Sequence, residues 1–311
     1  MLDIFLDPQT LADFLNSTLR LSTPLAFAAI GGLFCERAGV FNIALEGCIL
    51  SGALGAAYGA FTFGDPVSGL AIGIVCGAAT GLLLAFLGVT LGINQIVAGI
   101  AINMLSLGMT SFFSRLLLHV EEGASRILPG FKVIPIPLLS DIPIIGPVLF
   151  KQDILVYLLY ATVLIGWWFL FKTPWGLAIR AVGQFPKAVD TAGMSVEKIR
   201  YLTVIFGCGL ASVGGCYIIL SQVFIFTEHM SAGKGFIALA ALILGRWNPV
   251  GALLACLLFG FFEAMQLRLQ FANPDVPYQI FSILPYLASI LALVFFVTMR
   301  APAASGKKYY R

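Results

Sequence analysis

Nine apolar stretches, near residues 10–34, 40–61, 66–88, 94–118, 153–171, 200–224, 235–245, 249–268 and 279–299, take up most of this chain and restrict it to one class of fold. A helix needs about 20 apolar residues to cross a bilayer, and most of the stretches reach that length. Composition agrees, since 59% of the 311 residues are hydrophobic and only 11% are charged. Soluble chains carry roughly a quarter charged residues. The expected fold is an all-α polytopic integral membrane protein of about nine transmembrane helices, roughly 8–10, forming a single domain over 1–311. The N-terminal MLDIFLDPQTLADFL has no basic leader region and no small-residue cleavage site, so no cleaved signal peptide is expected.

The apolar profile is broken by a basic loop, 172–200, reading KTPWGLAIRAVGQFPKAVDTAGMSVEKIR. Lys172, Arg180, Lys187, Lys198 and Arg200 outweigh Asp190 and Glu197, and basic loops beside spans stay on the cytoplasmic side. Alternating outward from it places Arg246 and the basic tail (Arg300, Lys307, Lys308, Arg311) inside and the N-terminus outside. The segment 119–152, with five prolines, then falls outside as an extended, proline-stiffened loop or a shallow re-entrant piece. Within the basic loop, Pro186 suits the first turn of a short helix PKAVDTA. Gly193 would end that helix in a left-handed conformation, and Ser195 would cap the next one with Glu197 in its first turn. With Ala188, Val189 and Ala192 exposed, the short helix would be a plug for a groove in a cytosolic partner, or else an ordinary amphipathic surface helix.

Small residues recur at four-residue spacing in Gly47, Ser51, Gly55, Gly59 and again in Gly69, Gly73, Gly77, Gly81. Such stripes let helix backbones approach closely in a membrane, so the second and third helices should pack tightly on each other or on a partner. The stretch 235–245 is too short to cross alone. It either extends back through Thr227 to Lys234 or is a half-helix, and irregular backbone at membrane depth must be buried in protein or line a wet cavity. Glu228, His229 and Lys234 would then lie near a pathway; the alternative is an external loop.

Polar residues inside the spans are the remaining candidates. Asn42 and Glu46, four apart, would share a helix face at the start of the second span. An ionisable group there is costly and should face the bundle interior or water. Glu46 would line a pathway or clamp a neighbouring helix, and Glu36 with Arg37 reads as a boundary ion pair. Asn94, Gln95 and Asn103 form a polar line on the fourth span, suited to a permeant rich in hydroxyls and ring nitrogens or to interhelical amide bonds. Glu263 and Gln266 carry the same ambiguity on the eighth. Asn42, Glu46, Asn94, Asn103, Glu228 and Lys234 are the candidate pathway or gate residues.

Catalysis finds little support, with no GxSxG, no HExxH and no Cys/His pair in a plausible arrangement. Six cysteines stand singly in apolar segments and read as buried thiols, and with two histidines no metal site is expected. The small positive charge lies in loops and does not argue for nucleic acid; lipid is the expected surroundings. Without a GxxxxGK[ST] loop the chain is not expected to hydrolyse ATP by itself; no cofactor of its own is expected, and any ATP would be hydrolysed by a separate subunit. A secondary transporter driven by an ion on Glu46, Glu228 or Glu263, or a structural subunit, are the alternatives.

The motifs ERAGVFNIALEG (36–47), GINQIVAGIAIN (92–103), TPWGLAIRAVGQFPKAVDTAG (173–193) and GKGFIALAALILGRWNP (233–249) resemble a bacterial ABC importer permease subunit. The branch is that of the ribose, branched-chain amino acid and nucleoside permeases, and the wording is most similar to the nucleoside permeases served by a lipoprotein of the basic membrane protein type. The resemblance implies alternating access in a bacterial inner membrane, with a cytosolic ATPase, a longer sister permease and an extracytoplasmic solute-binding protein as partners. It also implies that the 172–200 loop holds a coupling helix, shaped and seated by Gly183, Pro186, Asp190 and Gly193. The solute would be a nucleoside or a sugar-like molecule.

Overall fold

The computed structural model describes residues 8–118, 127–137, 139–140, 142–272, 277–296 and 301–309. Among the described residues twelve helices follow one another: α1 (Pro8–Arg37), α2 (Leu45–Phe63), α3 (Pro66–Ala85), α4 (Gln95–Leu118), α5 (Ile145–Leu149), α6 (Ile154–Lys172), α7 (Pro174–Gln184), α8 (Pro186–Thr191), α9 (Val196–Tyr217), α10 (Lys234–Leu244), α11 (Pro249–Ala272) and α12 (Tyr278–Phe296). Wider π turns extend α3 over Phe86–Thr90 and α9 over Ile218–Val223. A short antiparallel pair, β1 (Val133–Pro135) and β2 (Lys151–Asp153), sets Val133 opposite Asp153.

Each apolar stretch carries a helix, but among the described residues only six helices are long and apolar enough to cross a membrane: α1, α3, α4, α6, α9 and α11. The expectation of about nine spans is therefore met only in part. α10 has 11 residues and, at about 1.5 Å per residue, rises roughly 16 Å, half the hydrocarbon thickness. It is the half-helix, because the chain before Lys234 is irregular. α2 has 19 residues rich in Gly and Ala, and the described apolar part of α12, Gln279–Leu291, is shorter still.

α1 and α9 form the centre, with 89% and 78% of their most apolar stretch buried against 28–33% for α3, α4, α6 and α11. Glycine sets how closely the others approach them. Gly31 of α1 and Gly207 of α9 each face the other's backbone carbonyl. Between α2 and α3, a Cβ on Gly55 would lie 2.9 Å from the Gly73 Cα, and one on Gly59 would lie 2.8 Å from the Gly69 Cα. The two stripes do meet, but only through these pairs. Gly77 and Gly81 turn to Ser212 and Cys208 of α9, and Gly47 faces Asn103 and Ser106 of α4.

Local chemistry sets the helix ends. α2 stops at Gly64 in the left-handed region (φ 69°), and Asp65 then caps α3 by accepting from the Ser68 N–H with Pro66 in the first turn. Asp153 caps α6 through the Leu155 and Val156 N–H groups, and its burial outside the span pushes the carboxyl above the usual carboxylate range. Of the 119–152 segment, 119–126, 138 and 141 lie outside the described residues. Residues 127–131 bond to the end of α9 (Leu128 N to Phe224 O, Phe131 N to Leu220 O). That end is opposite the 172–200 loop, as alternation requires.

Gly215 of α9 tests the packing account. A Cβ there would fall on the Ile49 carbonyl of α2, and rigid backbone cannot give way. We predict that Gly215→Val lowers stability by about 3 kcal/mol, seen as a lower thermal midpoint in detergent. Gly108→Ala, at a position open on all sides, should cost nothing measurable.

Candidate functional site

Two interrupted helices meet inside the bundle. After α1 the chain runs without helical structure from residue 38 to 44 before α2 begins, and α10 likewise starts from irregular chain. Away from water, exposed N–H and C=O groups must be satisfied by the protein itself. Side chains on neighbouring elements do so here. Gln95 Oε1 accepts from Phe41 N–H at 2.7 Å, and Asn103 Oδ1 accepts from Gly47 N–H at 2.8 Å while its Nδ2 donates to Ile43 O at 2.9 Å. Two turns of α4 thus hold the irregular strip leading into α2.

Glu46, in the first turn of α2 and 8% exposed, supplies the other clamp. Its Oε1 accepts from Ser231 Oγ at 2.5 Å and Gly233 N at 2.8 Å, and its Oε2 accepts from Gly235 N at 2.6 Å. A carboxylate therefore satisfies the free amides at the start of α10, where the helix dipole also favours negative charge. The chain reaches this arrangement through left-handed backbone at His229 (φ 58°), Ala232 (46°) and Gly233 (83°). A Cβ at Gly235 would lie 2.8 Å from Glu46 Oε2 and 2.5 Å from its Cα, so only glycine admits the carboxylate. Beside it Lys234 Nζ pairs with Glu263 Oε1 of α11 at 2.5 Å, both largely buried. That pair offsets a cation at the positive end of α10.

The other candidates lie elsewhere. Asn42 does not share a helix face with Glu46, because α2 begins only at Leu45. It is buried with Nδ2 on Cys35 Sγ (3.4 Å) and Cys208 Sγ (3.3 Å), so two of the thiols read as isolated are gathered around one amide. Asn94 is an exposed cap of α4, accepting from Ile96 N–H. Glu228 is surface-placed and paired with Arg115 at 2.9 Å, which holds its carboxyl below the usual range. Glu36 and Arg37 are not an exposed pair: Glu36 is fully buried and accepts from the Trp247 indole N–H at 2.5 Å, while Arg37 Nε donates to Trp247 O at 2.8 Å. Arg246 and Trp247 both adopt positive φ (58° and 52°) to do this. GRWNP is thus a lock on the end of α1. The sequence reading missed Ser231 and Trp247 as partners; the buried acids Glu46 and Glu36 were the signal that partners had to exist.

The second constellation lies where α1 ends, against Arg37 and against Gly39 of the irregular strip. Pro186 opens α8, Gly193 closes it at φ 83°, and Ser195 caps α9 by accepting from Lys198 N–H. Phe185, Ala188, Ala192 and Met194 are exposed, but Val189 is buried at 3%. Val189 is therefore the anchor of the short helix, because one face of so short an element must pack inward, and not part of the exposed plug. Gly183 at the end of α7 sits against the Arg37 carbonyl, where a Cβ would collide, and Asp190 accepts from Tyr309 Oη at 3.0 Å.

We predict that Glu46→Ala, which leaves three donors at membrane depth without an acceptor, destabilises the protein by roughly 3 kcal/mol or more, with Glu46→Gln intermediate. Thermal unfolding of the purified protein measures both. Equal stability of all three would contradict the clamp.

Residues 14–299 match the family model described as branched-chain amino acid transport system / permease component. The chain is 37% identical to the guanosine ABC transporter permease protein NupQ of Bacillus subtilis, over 97% of this chain and 98% of that protein. It is 34% identical to the nucleoside ABC transporter permease protein NupC of Lactococcus lactis subsp. cremoris, over 97% and 98%. It is also 34% identical to a putative glucose ABC transporter permease protein, TsgC13, of Haloferax volcanii, over 96% and 98%. No solved structure matches. The chain belongs to this permease family and is a multi-pass membrane permease subunit of an ABC importer.

Proposed function

We propose that the chain forms half of the pathway of a nucleoside importer in a bacterial cytoplasmic membrane, with loop 172–200 and the C-terminus facing the cytosol. A separate ATPase docks on α8, a longer sister permease completes the pathway, and an extracytoplasmic protein delivers the solute to the face carrying 127–153. The observation that carries the coupling role is the exposed apolar set Phe185, Ala188, Ala192 and Met194 on a tightly built turn beyond the spans. Solvent gives such a set no favourable contact; a groove in a partner does. Gly183, Pro186, Asp190 and Gly193 shape this element.

The gate is the meeting of α2 and α10. Interrupted helices at membrane depth mark sites where short segments can tilt against fixed ones. Closure of the ATPases on ATP would press on α8, and through α6, α7 and the end of α1 the movement reaches the Asn103 and Glu46 clamps. Glu46, Asn103 and Lys234 act by holding and releasing backbone around a neutral solute; Asn42, Asn94 and Glu228 act outside the gate. Two of the relatives are named for guanosine or nucleosides, and this favours a nucleoside. The glucose-named relative supplies the second reading, a sugar.

Uptake of labelled guanosine and glucose by cells with and without the gene separates these. The expected outcome is loss of guanosine uptake alone, reproduced by Gly193→Val, which puts a branched side chain at φ 83°, and insensitive to collapse of the proton gradient while ATP is kept high. Loss of glucose uptake alone would replace the nucleoside with a sugar.

A further inference from the structure

Residues 301–309 have the composition of a loose tail, yet Pro302 and Ala304 are buried and the segment bonds to five separate parts of the coupling end. Ala304 N–H donates to the Gly183 carbonyl of α7 at 2.9 Å, and Gly306 N–H donates to the Gly39 carbonyl beyond α1 at 3.2 Å. The buried guanidinium of Arg200 in α9 donates through Nη1 to the Lys307 carbonyl at 3.0 Å. Lys308 Nζ donates to the Leu91 carbonyl beyond α3 at 3.2 Å. Tyr309 Oη donates to Asp190 Oδ2 of α8 at 3.0 Å.

The seat for this tail is built from glycine. Gly92, at φ 65°, lies where any Cβ would fall on the Lys308 side chain. A Cβ on Gly39, at φ 83°, would be 3.2 Å from the Ala304 carbonyl and 3.3 Å from the Gly183 Cα. Beneath the tail remains a cavity of about 280 Å³ walled by Asp190, Gly193, Glu197, Arg200 and Tyr309 among others. α8 itself is 6 residues long with Val189 alone buried, so its own hold on the bundle is slight.

We propose that the C-terminal tail is a positioning element of energy coupling. It is a clasp that ties α8, through Tyr309 and Asp190, to the ends of α1, α3, α7 and α9. A push on a two-turn helix held by one valine would be spent on local rearrangement; tied by the tail, it moves the central helices. This rests on reading α8 as the coupling helix.

The test uses the complete importer, permease with its ATPase and binding protein, in liposomes, reading guanosine uptake and ATP hydrolysis together. A permease chain ended after Ala301 should still co-purify with the ATPase and still hydrolyse ATP, while uptake per ATP falls roughly tenfold or more. Tyr309→Phe removes one hydroxyl without disturbing the fold and should lower the same ratio about fivefold. Gly92→Val, which displaces Lys308, should act in the same direction. A general loss of stability would lower both rates together and leave their ratio fixed, so an unchanged ratio in Tyr309→Phe overturns the clasp. If the unaltered importer shows no ATP-driven guanosine uptake, the nucleoside reading falls and the same ratio is read with glucose; ATP-driven uptake that survives every tail variant at an unchanged ratio overturns the clasp alone.

Discussion

The carboxylate of Glu46 at the start of α10 is the contact around which the interior is arranged. Interrupting a helix at membrane depth leaves backbone amides that neither lipid nor water can satisfy. Glu46 accepts from two of them and from the Ser231 hydroxyl, and so α2 and α10 can both begin inside the bundle. Asn103 and Gln95 perform the matching task for the strip before α2. The arrangement costs strain at His229 and Ala232, both left-handed without being glycine, and the lock on the end of α1 costs the same at Arg246 and Trp247. Backbone strain of that kind persists only where the surroundings over-determine it.

Around this polar joint the rest of the bundle is held by close backbone approach. α1 and α9 cross at facing glycines, and α2 and α3 meet through Gly55, Gly59, Gly69 and Gly73. Lipid tails are as apolar as leucine, so packing in a membrane depends on close contact and not on hiding hydrophobic surface. The result is a rigid centre of α1 and α9, lying between the coupling loop at one end and the 127–153 segment at the other. In the proposed cycle, rigid helices carry movement and the short α10 absorbs it at its joint with α2.

What the sequence made legible was whatever is decided locally. Pro186, Gly193 and Ser195 fall within ten residues of one another, and their turn chemistry fixes α8 and the start of α9 whatever lies around them. The short length of α10 was equally readable. Partnerships across long separations were not. Glu46 and Ser231 are 185 residues apart, and the Trp247 cap on Glu36 is likewise set by packing alone. Asn42 was misplaced because an apolar run does not reveal where irregular chain becomes helix. Val189 was misassigned because a helix of 6 residues has too few positions for periodicity to say which face is inside.

The central claim is that α10 pivots against the unit formed by α2 and α4 about the Glu46 joint. Its most direct test is the distance between spin labels at Met104 of α4 and Phe236 of α10, both exposed positions, in the reconstituted importer with and without trapped ATP. A pair at Met104 and Val75 of α3 serves as the fixed reference. The account predicts that the first distance changes by several ångströms while the second holds. Two unchanging distances in a complex that transports would contradict it.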